Sequence, residues 1–291
     1  MKIFIAIPTY NRAQVFSLCE KSFLNSRLIK GFIVVVQATV SKDVEKYANA
    51  LKELRDSGFE VLYQITNVGL GSVGARNRLI EIAVGTLAKG DILIMYEDDF
   101  IYPGDFALKP ILKWLNLTSV GMVGGRVINL RQRRIDPDFA LNIDNLADKL
   151  TEITGFILLN TRHGPREANY VRHLFALRIE TLQKGIRYDE NYQGTGYREE
   201  SDLQRQVKAL GLKIIFEPRF FAYHLAVETG GSRYSDLQDR MYWKWKNHTY
   251  FMNKWHYPTY KKILSYVILT TYALLNGPSA IRGIMKAVKN R

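Results

Sequence analysis

The sequence has a single cysteine, Cys19, in 291 residues. No internal disulfide can form, so packing alone must hold the fold, and nothing points to an oxidising compartment. Long apolar runs are missing as well. The run at residues 3–7 is far too short for a secretory signal and is interrupted by Pro8 and Asn11. Residues 263–275, near the C-terminus, are too few to span a bilayer and are stopped by Asn276, Gly277 and Pro278. A chain of this kind does not cross a membrane but can lie on one. There is no internal repeat and no low-complexity segment. Acid is the scarcer charge: 28 Asp and Glu stand against 41 Lys and Arg, a formal net charge of +13. Such an excess favours anionic partners, whether nucleic acid, anionic lipid or phosphorylated small molecules.

What is present suffices for a globular core, because 47% of the residues are hydrophobic. Short β-branched runs at 3–7, 32–37, 60–65 and 91–96 alternate with amphipathic stretches at 13–25, 41–57 and 73–87. Strands separated by helices of that length predict βαβ units, hence an α/β fold with a mostly parallel sheet flanked by helices. Further on, 120–127 and 153–160 read as strands, 131–138 as a polar loop, and 174–184 as a helix or a strand plus helix. Residues 200–210 read as a helix with Gly211 placed to cap it, and 213–217 and 220–224 as two strands. From Asp236 the chain is helical and rich in aromatics. This divides it into a sheet domain over 1–235 and a helical C-terminal region over 236–291.

In parallel sheets ligands bind beyond the carboxyl ends of the strands. Three polar clusters fall at such ends: 8–12, 37–39 and 97–99. Glu97, Asp98 and Asp99 repel one another unless a cation compensates, and Mg²⁺ or Mn²⁺ held by carboxylates and substrate phosphates would do so; an acidic surface turn gives the same triplet. Glu199, Glu200 and Asp202 open a helix, where a carboxylate can serve as general base or simply favour the helix dipole. His224 ends a strand and precedes Gly230, Gly231, Ser232 and Arg233, a loop suited to phosphate; it is either a metal ligand or a structural histidine. Gly69, Gly71 and Gly74 before Arg76 and Asn77 suit phosphate at a helix N-terminus, although such loops are also common as turns.

Taken in order, these segments resemble the family-2 glycosyltransferases of the GT-A fold, especially their rhamnosyltransferase-like members. I-P-T-Y-N-R resembles the family's opening strand and loop, and N-V-G-L-G-S-V-G-A-R-N-R its N-x-G-x-x-x-A-R-N segment with altered spacing. Y-E-D-D-F resembles the D-x-D region, G-I-R-Y-D-E-N-Y with G-Y-R-E-E-S-D-L the G-x-x-D-E-x-Y and G-E-D-x-D-L segments, and F-E-P-R-F-F-A-Y-H the strand that ends in histidine. The similarity runs over roughly residues 1 to 255.

The resemblance implies an inverting, metal-dependent transfer of a sugar from a nucleotide-sugar donor to a hydroxyl of a glycan or lipid-linked glycan. Pro8, Thr9, Tyr10, Arg12, Gln37, Arg76, Glu97 and Asp98 would bind the nucleotide sugar, with Ser232 and Arg233 on phosphate. Asp99 and His224 would ligate Mn²⁺ or Mg²⁺. Glu200 would be the base, supported by Glu199. Three residues depart from the family's pattern: Gln37 stands where an acid usually holds the nucleotide base, Glu97 begins the D-x-D, and Glu200 replaces aspartate.

The C-terminal region interleaves aromatics with lysine. Residues 241–255 predict a helix with Tyr242, Trp245, Thr249 and Met252 along one stripe. Residues 263–275, followed by Arg282, Lys286, Lys289 and Arg291, predict an interfacial helix on anionic lipid, at the cytoplasmic face of a membrane. Packing against the sheet domain, or against a second subunit in a homodimer, is the alternative use of the same residues. A nucleic-acid-binding protein and a nucleotidyltransferase on the same sheet are the rival functions. Against the first, the basic residues form no known binding motif.

Overall fold

A computed structural model describes residues 1–130, 146–227 and 236–290. The expected polar loop at 131–138 lies outside them. The first half of the described chain is β1 (Ile3–Tyr10), α1 (Ala13–Lys21), β2 (Ile29–Gln37), α2 (Ser41–Asp56), β3 (Glu60–Thr66), α3 (Gly71–Thr86) and β4 (Ile92–Met95). β1 and β2 are nearly unbroken runs of buried Ile, Val and Phe, as expected for parallel strands covered on both faces. There follow β5 (Phe100–Ile101), α4 (Lys109–Leu115), β6 (Val120–Asn129), α5 (Leu146–Thr154), β7 (Arg166–Ala168), β8 (Phe175–Arg178), the single turn α6 (Ile179–Leu182), α7 (Glu199–Ala209) and β9 (Lys213–His224). Three helices close the chain: α8 (Leu237–Lys254), α9 (Thr259–Asn276) and α10 (Pro278–Lys289).

The strands form one sheet in the order β3-β2-β1-β4-β8-β6-β9-β5, with β7 on β9. β1 to β4 are parallel, as are β6 and β9, while β8 runs against β4 and β6. The chain therefore winds outward from β1 through β2 to β3, then returns to place β4 on the other side of β1. That reversal makes the gap beyond β1 and β4 a topological switch point, where the loops part and leave a crevice.

Two expected elements differ. Residues 153–160 are not a strand: Ile153 and Thr154 finish α5, and Gly155 turns the chain at φ 77°. Beyond it Asn160 satisfies β6 with its side chain, its carboxamide accepting from Val127 N (3.0 Å) and donating to Val127 O (3.1 Å). A local apolar run thus lies beside the sheet without joining it. Residues 213–217 and 220–224, expected as two strands, are one. The ladder to β6 steps from Gly124↔Phe216 to Arg126↔Phe221, so Pro218, which has no N–H to give, sits in a bulge.

Core clusters fill both faces of the sheet. α8 joins two cores, since Phe251 and Met252 belong to a sheet cluster while Met241 and Trp245 pack with Leu269, Ala273 and Ile284 of α9 and α10. Its buried face carries Met241, Trp245, His248 and Met252; Tyr242 and Thr249 of the expected stripe are only half-buried. No helix among the described residues is long and apolar enough to cross a membrane.

Candidate active site

A cavity of about 850 Å³ opens at the switch point. It gathers the ends of β1 (Pro8, Thr9, Tyr10, Arg12) and β2 (Gln37), the segment after β4 (Glu97, Asp98, Asp99), the start of α7 (Glu199, Glu200) and His224 at the end of β9. Arg76 of α3 also lines it. Ser232 and Arg233 lie outside the described residues.

At the β1 side, a relay fixes Asp98. Arg12 N donates to the Tyr47 hydroxyl (2.7 Å), which bonds Thr9 Oγ1 (2.8 Å), and Thr9 donates to Asp98 Oδ2 (2.7 Å). The Arg12 guanidinium reaches Asp98 Oδ1 (3.2 Å) and Asp99 Oδ2 (3.4 Å). Burial nevertheless lifts Asp98 to about 7, against the pull of Arg12 and Thr9. Gln37 is buried, and its carboxamide oxygen accepts from Leu70 N (2.7 Å). That leaves the amide nitrogen uncommitted in this bond, a donor where an acid would be an acceptor.

Asp99 meets His224, with Nε2 to Oδ2 at 3.2 Å. The other ring nitrogen, Nδ1, lies 2.5 Å from Asn129 Oδ1. If Nδ1 carries the proton for that bond, Nε2 is a bare lone pair facing a carboxylate oxygen. In that tautomer the two acceptors can share a cation, beside the Arg12 guanidinium that already reaches Asp99 Oδ2; in the other, Nε2–H donates to Asp99. The separation of Nε2 and Oδ2 also suits neighbouring vertices of an octahedron with arms near 2.1 Å, roughly 3 Å apart. Among the described residues no cluster of three or more His, Cys, Asp or Glu side chains gathers. His173 meets His224 edge-to-face, ring centroids 6.1 Å apart; burial and its neighbour hold it neutral, down to about 3.

Opposite stands a second charged group. Arg76 is bonded to Glu97 and Glu199 and lies 3.5 Å from Glu200. Burial works against its charge, but Glu97 and Glu199 outweigh it and hold the guanidinium well above its usual range. Expected on phosphate, Arg76 lines the cavity with its guanidinium paired to carboxylates. Glu199 also accepts from Ser72 Oγ (2.9 Å). Its side chain is 7% exposed, against 19% for Glu200, whose sole ion pair among the described residues is the 3.5 Å contact. Glu200 is the more accessible of the two carboxylates, while Glu199 Oε2 is buried and without a hydrogen-bond partner among the described residues. Burial raises Glu200 to about 7, with Arg76 opposing.

Several participants gave no signal in the sequence. Tyr47 projects from the middle of α2, Ser72 is an ordinary residue in a helix start, and Asn129 and His173 become neighbours of His224 only through pairing of distant strands.

Comparison with known proteins agrees with this layout. The model of glycosyl transferase family 2 matches residues 4–183. Amylovoran biosynthesis glycosyltransferase AmsB of Erwinia amylovora is 31% identical over 81 residues, 28% of this chain and 27% of that protein's length. The mannosyltransferase PcManGT from Pyrobaculum calidifontis, solved in complex with GDP-Man and Mn²⁺, superposes with a TM-score of 0.58 at 16% identity, over 99% of this chain and 74% of its own. GalNAc-T7 with UDP, GalNAc and Mn²⁺ gives 0.58 at 15% identity, over 87% of this chain and 50% of its own. S. aureus TarS 1-349 gives 0.53 at 15%, over 86% and 65%. At these identities the superpositions speak for the fold.

Proposed function

The chain belongs to glycosyl transferase family 2, and from that premise we propose that it transfers a sugar, with inversion, from a nucleoside-diphosphate sugar to a hydroxyl of a glycan or lipid-linked glycan. The observation that carries this reading is the pairing of two unlike charged groups on one cavity: Asp99 with His224, and Glu200 beside Arg76. Asp99 and His224 would hold Mn²⁺ or Mg²⁺, which when bound supplies a Lewis acid that neutralises the departing diphosphate.

Pro8, Thr9, Tyr10 and Arg12 bind the nucleoside end, with Gln37 donating to the base edge. Glu97 and Asp98 face ribose and diphosphate. Glu200 takes the proton of the acceptor hydroxyl, and the freed oxygen bonds to the anomeric carbon. The bond from that carbon to the phosphate oxygen breaks on the opposite face, its electron pair leaving with the nucleoside diphosphate. A single displacement inverts the anomeric centre. Glu199 does not touch substrate; with Arg76 it positions Glu200. Ser232 and Arg233 complete the phosphate contacts in this reading.

Glu200→Gln tests it directly. Loss of the base should lower transfer by about 10²–10⁴-fold, while donor binding measured by calorimetry stays within a few-fold of wild type. Full activity in that variant would remove Glu200 from its role.

A further inference from the structure

After Asp239 the sequence contains no further Asp or Glu, yet it holds ten Lys and Arg. α9 lies in this acid-free stretch and is apolar on two sides. One side, with Leu269 and Ala273, is buried against α8 and α10. The other carries Tyr260, Ile263, Leu264, Val267 and Leu274, spaced i, i+3, i+4, i+7, i+14 and therefore one stripe along the helix. All five are exposed, from 44% for Leu264 to 67% for Tyr260, and Leu275 beside them is 83% exposed. On α10, Met285 (65%) and Val288 (46%) are exposed among Arg282, Lys286 and Lys289. An exposed apolar stripe of this length, interrupted by Thr270 and Thr271, marks a docking face.

We propose that α9 and α10 dock this protein on an anionic lipid bilayer, lying in the headgroup region without crossing it. Charge decides the occupant. Lys261 and Lys286 are paired with Glu152 and Asp239, but Lys262, Arg282 and Lys289 form no ion pair among the described residues, so two copies meeting through this region would bring net-cationic surfaces together, whereas anionic lipid complements them. Apolar side chains with a tyrosine and flanking lysines on an 18-residue helix suit an interfacial element and are too few for a span.

Docking also bears on the reaction, and here the inference rests on the transfer reading. α9 is fastened to the cavity rim: Tyr272 packs on Phe156 (ring centroids 5.5 Å), which lines the cavity, and Lys261 pairs with Glu152 of α5 (3.0 Å). Rim and exposed stripe are thus separated by about one helix diameter, roughly 10–12 Å. An acceptor carried by lipid would meet the cavity at the bilayer surface.

Flotation of the full chain with vesicles of phosphatidylglycerol and phosphatidylcholine tests the docking. Wild type should float with them, and far less with phosphatidylcholine alone. The double variant Val267→Glu/Leu274→Glu, on exposed positions that touch no core, should lower the partition coefficient at least tenfold. Its donor hydrolysis should be unchanged, which shows an intact fold and keeps the test separate from that of the transfer reading. Equal flotation of variant and wild type, or no flotation of wild type, overturns the proposal. A dimer in lipid-free solution that Val267→Glu separates, with no flotation, assigns the face to a second copy and overturns it too.

Discussion

Arg76 shows how one side chain can set the chemistry of another. Three carboxylates, Glu97, Glu199 and Glu200, surround its guanidinium, and without it burial and mutual repulsion would push Glu199 and Glu200 further toward the protonated form. Glu200 stands near 7 even with Arg76 present. A base must be unprotonated, so transfer should rise about tenfold per pH unit below 7 and level off above it. Arg76→Met removes the downward pull, so the rising limb should move to higher pH. Arg76→Lys keeps the cation but not its fork, so its limb should stay closer to wild type while kcat falls by up to about 10²-fold through misplaced carboxylates. A pH–rate profile of the three proteins checks this. An unmoved limb in Arg76→Met would mean that Arg76 does not tune the base.

At the scale of elements, the segment that presents Glu199 and Glu200 is wound unusually tightly. Gly194 has φ 63° and Arg198, the residue before α7, φ 78°. A Cβ on Gly194 would stand 2.2 Å from Trp243 of α8. Gly194→Ala therefore combines left-handed strain, ~1–2 kcal/mol, with an overpacked contact, ~1–3 kcal/mol. Gly185, at φ 89° with open space around it, should bear the strain alone, so thermal melts should place Gly194→Ala several degrees below Gly185→Ala. Equal melting would show that Trp243 simply moves aside. This wrapping was not legible beforehand, because Gly194-Thr195-Gly196 reads as any glycine-bearing loop. The strands of the first half were legible, since Ile and Val runs buried on both faces leave little choice. So were the clusters at their ends, which sheet topology sends to one place. The stretch at 153–160 deceived because an apolar run can also be held by a side chain such as Asn160, and periodicity does not register that. The carboxylate partners of Arg76 were hidden for a related reason: a glycine-rich helix start suits phosphate, but Glu97 and Glu199 lie 21 and 123 residues away.

Charge is sorted across the molecule as a whole. The chain carries +13, yet its cavity collects five carboxylates, Glu97, Asp98, Asp99, Glu199 and Glu200, against the four guanidiniums of Arg12, Arg76, Arg172 and Arg198, and Arg12 and Arg76 are already paired to those carboxylates. A nucleoside diphosphate entering alone meets carboxylates, and a divalent cation entering alone must share Asp99 with Arg12. Together the two ligands answer each other's charge, so they should bind cooperatively. Thermal shift with Mn²⁺, a nucleoside diphosphate, or both measures this. At a hundredfold excess over Kd the pair should stabilise the fold by about 2.7 kcal/mol, a rise of roughly 5 °C or more, and by clearly more than the sum of the separate shifts. Asp99→Asn should reduce the pair to that sum. His224→Ala should do the same, because each removes one of the two protein atoms that face each other at 3.2 Å. Additive shifts in the wild type, or a surplus surviving in Asp99→Asn, would place the cation elsewhere and detach it from the donor.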